Sequence, residues 1–190
     1  MDFYNKRTNR GHTYLSFFKK NILIIYRHFL FEIDLTIQEP FVKQDNLSIV
    51  KLNDELLDKC CDSYFSVDSI KHNLKHKKFS GFALLDGSFI IGYITFCFPP
   101  YKTSQYKICN CKCYIDNIWI DNINRGKHLS MYLFKYCFDY LRQKDINKVS
   151  FVVRRNNIPM LRISEHLKAK LIKRTSSIRF CGFSIWSPRI

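Results

Sequence analysis

The feature that most constrains the fold is a short basic turn, Asn124 to Ser130 (NRGKHLS), that lies between two different periodicities. An apolar, strand-like run from Tyr114 to Ile120 leads into the turn, and a run with helical spacing from Leu129 to Lys144 follows it. A strand that ends in a glycine-containing turn at a helix N-terminus gathers free backbone N–H groups and the positive end of a helix dipole. The stretch therefore predicts a binding site for a phosphate group.

Positive charge is concentrated in and after this turn. The 190 residues carry 31 Lys and Arg against 16 Asp and Glu, a net charge of +15. Residues 121–190 hold fifteen of the basic residues and four of the acidic ones. Most single lysines are expected on solvated faces, but such a surface also receives an anion, either a nucleotide cofactor or a nucleic acid. A hydrophobic content of 46% excludes a disordered chain, and the length suits one domain with an additional terminal segment.

The cysteines do not predict a metal site. Eight are spread over the chain, at Cys60, Cys61, Cys97, Cys109, Cys111, Cys113, Cys137 and Cys181. Several sit inside apolar patterns and no secretory signal precedes them, so we interpret them as reduced, intracellular thiols. Cys109, Cys111 and Cys113 alternate as on one face of a strand and lack the Cys-x2-Cys spacing of a zinc knuckle. The six histidines are scattered, so we expect neither zinc nor a Cys–His nucleophile, and we expect Cys137 in the core.

The N-terminal segment is expected to pack on the domain. Residues 1–13 are polar, and Tyr14 to Ile37 is rich in aromatic and aliphatic residues interrupted by charges. Its longest apolar run is far shorter than the roughly 20 residues of a membrane span. A packed helix or strand is the favoured interpretation, and a membrane-surface anchor is the alternative. We therefore expect no transmembrane span and a cytoplasmic protein.

From Leu47 onwards the pattern predicts the order β-α-α-β-β-β-α-β-α-β-β. Asn53 followed by two acids is a helix start, and Asp86-Gly87 is a hairpin turn. The predicted strands are Leu47 to Leu52, Phe79 to Leu85, Ser88 to Phe98, Tyr106 to Ile120, Lys148 to Val153, Leu171 to Ile178 and Arg179 to Trp186. The predicted helices run from Asn53 to Phe65, Ser66 to Lys77, Leu129 to Lys144 and Pro159 to Leu167.

Four local features stand in a characteristic order: the hairpin Gly81 to Tyr93, the strand end Ile118 to Asp121 with the turn Asn124 to Ser130, the strand end Val152 to Asn157, and the helix Met160 to Leu167. Together with the element order they resemble the GNAT superfamily of acetyl-CoA-dependent N-acyltransferases, over Leu47 to Trp186. The turn is similar to the R-G-x-G-x-G/A turn of that family. The resemblance implies an α/β fold with a mixed, mostly antiparallel, splayed sheet flanked by helices. Residues 1–46 are then an N-terminal extension, and 47–190 are the GNAT-like acyltransferase domain.

The resemblance also implies acetyl-CoA as a co-substrate. The pyrophosphate is expected at Arg125, Gly126, Lys127, His128, Leu129 and Ser130. The pantetheine arm is expected to pair with the strand edge from Asn117 to Ile120, which includes Ile118 and Trp119. The backbone N–H near Ile118 would polarise the thioester. Asn157 is expected to touch the pantetheine or to cap the next helix, and the two roles are compatible.

Three side chains are candidates for the chemistry of acyl transfer, which needs a base and a group that stabilises the leaving thiolate. Asp116 is the candidate base because it is the only acid in the strand that leads to the turn; a strand-edge carboxylate is the alternative. Tyr114 shares its strand face by period two and is the second candidate, with a packed aromatic as the alternative. Ser164 stands where many members of the family place the tyrosine that protonates the thiolate.

The sequence also departs from the family pattern. His128 replaces the second glycine of the turn, Ser130 replaces a Gly or Ala, and Lys168-Ala169 replaces the usual Gly-Phe. We predict an acyl-CoA-dependent N-acyltransferase that transfers acetyl to a primary amine of a small metabolite or amino sugar. The alternatives are a GNAT that acts on a protein or aminoacyl-tRNA amine, and a catalytically weakened GNAT-fold binding module. A nucleic-acid partner is the less favoured expectation.

Overall fold

The computed structural model describes residues 23–59, 67–75, 79–102, 107–108, 110–180 and 183–186. The described strands are β1 (Leu23–Asp34), β2 (Leu47–Lys51), β3 (Phe79–Asp86), β4 (Phe89–Cys97), β5 (Tyr101–Lys102), β6 (Lys107–Ile108), β7 (Tyr114–Ile120), β8 (Lys148–Arg154), β9 (Lys170–Phe180) and β10 (Phe183–Trp186). The described helices are α1 (Asp54–Asp58), α2 (Val67–Leu74), α3 (Leu129–Arg142) and α4 (Ile158–His166). Short 3-10 turns lie at Leu35–Ile37 and Asn122–Asn124.

One large sheet organises the described chain, with the strand order β10-β9-β1-β8-β7-β4-β3-β2. β1 lies between β8 and β9 and pairs antiparallel with both. The N-terminal segment therefore contributes a strand to the sheet itself. Residues 1–22 lie outside the described part, and the division of the chain at residue 46 stays a prediction.

The sheet forks between β7 and β8. These two strands are parallel and pair at Tyr114 with Ser150 and at Ile115 with Phe151. The pairing of β7 with β4 continues to Ile120, so β7 stays with β4 and leaves β8. The other strand pairs of the large sheet are antiparallel. The predicted mixed, mostly antiparallel, splayed sheet is confirmed.

A β-bulge lies in β7 at the start of the fork. Thr95 of β4 pairs with Asn117, but the next residue, Phe96, pairs with Ile115, so Asp116 is the additional residue. Such a bulge shifts the alternation of side chains by one position. Tyr114 and Asn117, three residues apart, therefore oppose positions two apart on β4. The period-two argument that placed Tyr114 and Asp116 on one face does not hold across this bulge.

Helices cover both faces of the sheet and build the core. The apolar face of α3 supplies fully buried side chains, among them Leu133, Phe134, Phe138 and Leu141. Each such side chain contributes about 2 kcal/mol through burial. On the opposite face, buried residues of α1 and α2 pack against Tyr93 and Trp119. These two layers hold β4 and β7 in place beside the fork.

Local sequence signals located most element starts. Asn53 caps α1 as predicted, because its side chain accepts a hydrogen bond from the Leu56 N–H at 2.9 Å. The described part of α1 ends at Asp58, whereas the predicted end at Phe65 lies outside the described residues. The last strand begins at Phe183 and not at Arg179, because β9 continues to Phe180.

The predicted single strand from Tyr106 to Ile120 is wrong. It is divided into β6 and β7, because β6 pairs locally with β5 in a separate two-stranded ribbon. Of the intervening residues, 110–113 are not in a strand, so the strand-face argument for Cys111 and Cys113 also fails.

Candidate active site

The first part of the site is an open strand edge on β7. After Ile115 the strand has no pairing with β8, so the edge from Asp116 to Ile120 faces the fork. The Trp119 side chain is not available there, because it is buried and stacks on Tyr93 with ring centroids 5.4 Å apart. Gly92 of β4 allows the close approach of the two strands, since a Cβ at this position would lie 2.9 Å from the Trp119 carbonyl oxygen. The Trp119 side chain therefore belongs to the core and not to the fork.

The second part is the basic turn that follows β7. Three side-chain hydrogen bonds brace it: Arg125 Nε donates to the Ile120 carbonyl oxygen at 3.1 Å, Lys127 Nζ to Asn124 Oδ1 at 2.8 Å, and Asn124 Nδ2 to Asp121 Oδ2 at 3.3 Å. Gly126 has a φ of 80°, in the left-handed region that favours glycine. The turn is thus held in one shape while its residues 125–128 remain exposed.

A row of unused backbone donors lies at this turn. None of the N–H groups of residues 126–131 donates a hydrogen bond to another group in the described part of the chain. They precede or begin α3, where the helix dipole adds positive potential. The arrangement is suited to the oxygens of a phosphate or pyrophosphate.

His128, which stands where the resemblance places the second glycine of the turn, has a left-handed backbone conformation. Its φ is 58° and its ψ 16°, which is left-handed, and its side chain makes no capping hydrogen bond to α3. Histidine is one of the residues that enter this region more often than most. The conformation costs about 1 kcal/mol for a residue with a Cβ.

Asp116, the candidate base, lies at the bulge where the fork begins. The residue is half-buried, and burial raises the pKa of its carboxyl group to about 6. Its charge is also felt by Cys97 of β4, where burial and then Asp116 raise the pKa of the thiol. A carboxylate with a pKa near 6 is suited to accept a proton at neutral pH.

Tyr114, the second candidate, lies in the core. It is 1% exposed and packs in a cluster with Leu30, Phe79, Cys97 and Ile108. This environment is typical of a packed aromatic residue. A catalytic role for Tyr114 stays a prediction.

Ser164 and Asn157 both interact with the first turn of α4. Ser164 is 1% exposed, and its hydroxyl donates to the Met160 carbonyl oxygen at 2.8 Å. The Asn157 side chain caps α4, since its Oδ1 accepts a hydrogen bond from the Met160 N–H at 3.3 Å. The capping alternative for Asn157 is therefore observed. The pantetheine contact of Asn157 and the thiolate contact of Ser164 stay predictions.

The structure thus places Asp116, the edge at Ile118 to Ile120, and the turn at 125–130 in succession along β7 and beyond its C-terminal end. Sequence reasoning placed Asn117 on the fork edge but missed the bulge. A signal was present, because Asp116-Asn117 places two polar residues in succession within an apolar strand. Two successive polar residues interrupt the alternation of faces that a regular strand requires.

Neither a metal site nor a membrane-spanning helix is found among the described residues. No group of three or more His, Cys, Asp or Glu side chains there has a geometry that would hold a metal ion. No described helix is long and apolar enough to cross a membrane.

Comparison with known proteins provides an independent result. The sequence model of the acetyltransferase (GNAT) family matches residues 48–167. No curated protein sequence gives a significant match.

Solved structures share the fold at low sequence identity. A Drosophila protein has a TM-score of 0.62 at 8% identity over 92% of this chain, which spans 57% of the Drosophila chain. A ribosomal-protein-alanine N-acetyltransferase from Brucella melitensis has a TM-score of 0.54 at 14% identity, over 70% of this chain and 99% of its own. AAC(6')-Iy, solved with the bisubstrate analogue CoA-S-monomethyl-acetylneamine, has a TM-score of 0.54 at 10% identity, over 68% of this chain and 94% of its own.

Proposed function

The chain belongs to the acetyltransferase (GNAT) family, and we propose that it transfers an acetyl group from acetyl-CoA to a primary amine of a small metabolite or amino sugar. One observation carries the proposal. The open edge of β7 leads directly into six unused N–H groups at residues 126–131. A strand edge followed by an anion site matches acetyl-CoA, whose amide-containing arm ends in a pyrophosphate.

In the proposed complex the two parts of the cofactor bind to different groups. The pantetheine amides pair with the backbone of Asn117 to Ile120, in the way that a peptide adds to a sheet edge. The pyrophosphate accepts hydrogen bonds from Gly126 to Ser130, and Arg125 and Lys127 add charge-assisted bonds. His128 has its side chain exposed at the mouth of this turn and is a further donor.

The chemistry then requires one group that accepts a proton and one group that donates a hydrogen bond to the oxyanion. The amine nitrogen attacks the thioester carbon, and its proton passes to Asp116, directly or through a water molecule. The backbone N–H near Ile118 stabilises the oxyanion that forms on the carbonyl oxygen. The C–S bond then breaks, and Ser164 is our candidate for the hydrogen bond to the departing thiolate. Much of the rate enhancement comes from holding both substrates in the fork.

A small acceptor is supported by one fold neighbour and opposed by the overall charge. The analogue bound to AAC(6')-Iy joins CoA to acetylneamine. The net charge of +15 favours the second candidate, an amine on a protein or an aminoacyl-tRNA, because a polyanion binds such a surface without base-specific contacts. Steep salt dependence of acceptor affinity would distinguish the second candidate from the first.

A CoA-release assay over a panel of primary amines tests the proposal. The panel contains amino sugars, polyamines, amino acids, a lysine peptide and an aminoacyl-tRNA. We expect acetyl-CoA-dependent release with at least one small amine, and none in the absence of acceptor. CoA release with only the peptide or only the tRNA would support the second candidate function instead. If acetyl-CoA binds and no amine is acetylated, the protein is a GNAT-fold binding module.

A further inference from the structure

A cluster of arginines lies on the other arm of the fork and has no role in the acetyl transfer described above. Arg27 comes from β1, Arg154 is the last residue of β8, Arg155 follows it, and Arg174 comes from β9. These strands are neighbours in the sheet. Arg154 lies three residues beyond Phe151, the last residue of β8 that pairs with β7. Arg154 pairs with His28, so its side chain is on the opposite face of the sheet from Arg27 and Arg174, which share the face of Phe29. The arginine cluster, as we call Arg27, Arg155 and Arg174, therefore lies on one face of the arm formed by β8, β1 and β9.

Two adjacent cavities open between these arginines. One, of about 380 Å³, is lined by Arg27, Arg154 and Arg155 together with Tyr26. The other, of about 390 Å³, is lined by Arg27, Arg155 and Arg174. Arg27 and Arg155 line both cavities, and the Arg155 N–H donates to the Arg27 carbonyl oxygen at 3.0 Å. Each cavity has the size of a small-molecule site.

The positive charge of the cluster is not neutralised by the protein. None of these three guanidinium groups, nor that of Arg154, forms an ion pair with a carboxylate in the described ranges. Arg174 lies over an aromatic ring, 5.9 Å from the Phe29 ring centroid, and Arg154 on the opposite face lies 4.8 Å from that of Tyr26. Ring contacts position a guanidinium group without neutralising its charge. Like charges gathered from three strands repel one another unless an anion lies between them.

A neighbouring histidine lies on the same face of the sheet as Arg154. His28 lies on β1, and its pKa is lowered to about 4 by burial and, next in size, by the charge of Arg154. Its imidazole therefore remains neutral at physiological pH. The cluster thus carries no protonated histidine, and its charge comes from arginines that do not titrate.

We propose that the arginine cluster binds a phosphate group of the acceptor, so that the substrate of this protein is a small phosphorylated amine. The inference rests on the proposed function for the direction of transfer, but the anion site stands on its own geometry. Guanidinium groups match phosphate oxygens in pairs of parallel hydrogen bonds. Because the cluster and the β7 edge lie on opposite arms of the fork, a phosphate held there leaves the amine free to reach the thioester.

Calorimetric titration of inorganic pyrophosphate into protein saturated with CoA tests the site, since CoA occupies the turn at 125–130. Wild type is compared with R27Q/R155Q, with the conservative R27K/R155K, and with the charge control K51Q/K144Q. Lys51 lies on β2 at the far edge of the sheet, and Lys144 follows the C-terminus of α3. We expect R27Q/R155Q to weaken pyrophosphate binding by about tenfold or more, because charge-assisted bidentate contacts are lost. R27K/R155K should retain part of the affinity and K51Q/K144Q all of it. Equal affinity in R27Q/R155Q and wild type would overturn the proposal.

Matched ligands show which molecule carries the phosphate group that the cluster binds. Glucosamine 6-phosphate should have a lower KM than glucosamine in wild type, and R27Q/R155Q should remove this advantage while its affinity for acetyl-CoA is unchanged. A loss of affinity for CoA but not for dephospho-CoA in R27Q/R155Q would mean that the cluster binds the cofactor's own 3′-phosphate, which overturns the acceptor assignment. Binding of tRNA without binding of pyrophosphate would overturn it in favour of a nucleic acid.

Failure of the proposed function can be distinguished from failure of the proposed anion site. If wild type does not bind acetyl-CoA, the proposed function fails, and the pyrophosphate titration is then carried out on G126D protein without CoA, where the turn is blocked. Dependence on Arg27 and Arg155 under that condition would support the anion site alone, and independence from them would overturn it.

Discussion

The side chain of Arg125 returns to the strand that precedes it and donates from Nε to the carbonyl oxygen of Ile120 at 3.1 Å. The turn is thereby fastened to the last residue of the open β7 edge. The two parts of the proposed acetyl-CoA site, which bind different ends of the cofactor, are thus held at a fixed separation before the cofactor arrives. Preorganisation of this kind lowers the entropic cost of binding.

The Arg125→Lys substitution keeps the charge but removes the Nε donor. We expect it to weaken acetyl-CoA binding by about tenfold, because the turn loses its fixed position and the cofactor loses a bidentate partner. Calorimetry with acetyl-CoA measures the change, and Lys51→Gln on β2 serves as a surface control. An unchanged dissociation constant would show that the link to Ile120 is irrelevant to binding.

Asp116→Asn tests the assignment of the base. We expect a loss in kcat of about 100-fold or more with the dissociation constant for acetyl-CoA unchanged. In wild type, kcat/KM should rise with pH through an acid limb near pH 6, because the carboxyl group must lose its proton to act and its pKa is about 6. Asp86→Asn, at the exposed end of β3, is the isosteric control. Turnover that survives Asp116→Asn with its acid limb intact would assign the base to another group.

The same substitution should stabilise the fold. A carboxyl group whose folded pKa is raised favours folding most below its unfolded value and loses that contribution as pH rises through 6. At pH 7 the ionised, half-buried Asp116 is therefore unfavourable. We expect Asp116→Asn to raise the free energy of unfolding at pH 7 by on the order of 1 kcal/mol, and to have little effect at pH 4. Urea denaturation at the two pH values measures both, and a lower stability at pH 7 would contradict the burial argument.

His28 should give stability the opposite pH dependence, because it lowers the free energy of unfolding as the pH falls. Its Nε2 lies 3.0 Å from Ser177 Oγ, it is 1% exposed, and its folded pKa is about 4 against 6.5 in the unfolded chain. The unfolded state therefore binds more protons between pH 6.5 and pH 4, and stability contributed above pH 6.5 is lost as pH falls through this window. We expect a loss of about 3 kcal/mol at most between pH 7 and pH 4, which His28→Gln should remove. A denaturation profile of the variant parallel to that of wild type would exclude His28 as the cause.

Ser164→Ala tests whether Ser164 only donates a hydrogen bond to the departing thiolate or protonates it as an essential acid. A thiolate is a good leaving group at neutral pH, since the pKa of a thiol is about 8.5, and it needs little help from a proton donor. The Ser164 hydroxyl is also already committed to the Met160 carbonyl oxygen. We expect kcat to fall by less than about tenfold, far less than for Asp116→Asn. Equal losses in the two variants, measured by CoA release, would make Ser164 an essential acid.

The turn was predictable because its determinants are local. Gly126 and the basic residues around it are adjacent in the sequence, and the strand before them and the helix after them have strong periodicities of their own. The left-handed conformation of His128 was not predictable in this way, because the surrounding strand and helix impose it on a residue that does not require it.

Other features of the fold and the site were not predictable, because they depend on residues that are distant in the sequence. The place of β1 between β8 and β9 is set by pairing with segments more than 100 residues away, and nothing within Leu23–Asp34 specifies that position. The bulge at Asp116 is set by the register against Thr95 and Phe96 of β4. The arginine cluster forms only when β1, β8 and β9 are assembled, so nothing in the sequence alone groups its three members.

The most direct test of the acetyl-CoA site is the shift in melting temperature that acetyl-CoA produces in wild type, Gly126→Asp and Gly87→Asp. The two glycines are matched, because both have a positive φ, 80° at Gly126 and 58° at Gly87, and an added Cβ would meet no atom within 4 Å at either position. The backbone strain of the substitutions is therefore similar, but only the carboxylate at 126 would stand among the N–H donors of the turn and repel a pyrophosphate. We predict a clear upward shift for wild type and Gly87→Asp and none for Gly126→Asp. Equal shifts in all three proteins, or no shift in wild type with any acyl-CoA, would contradict the account.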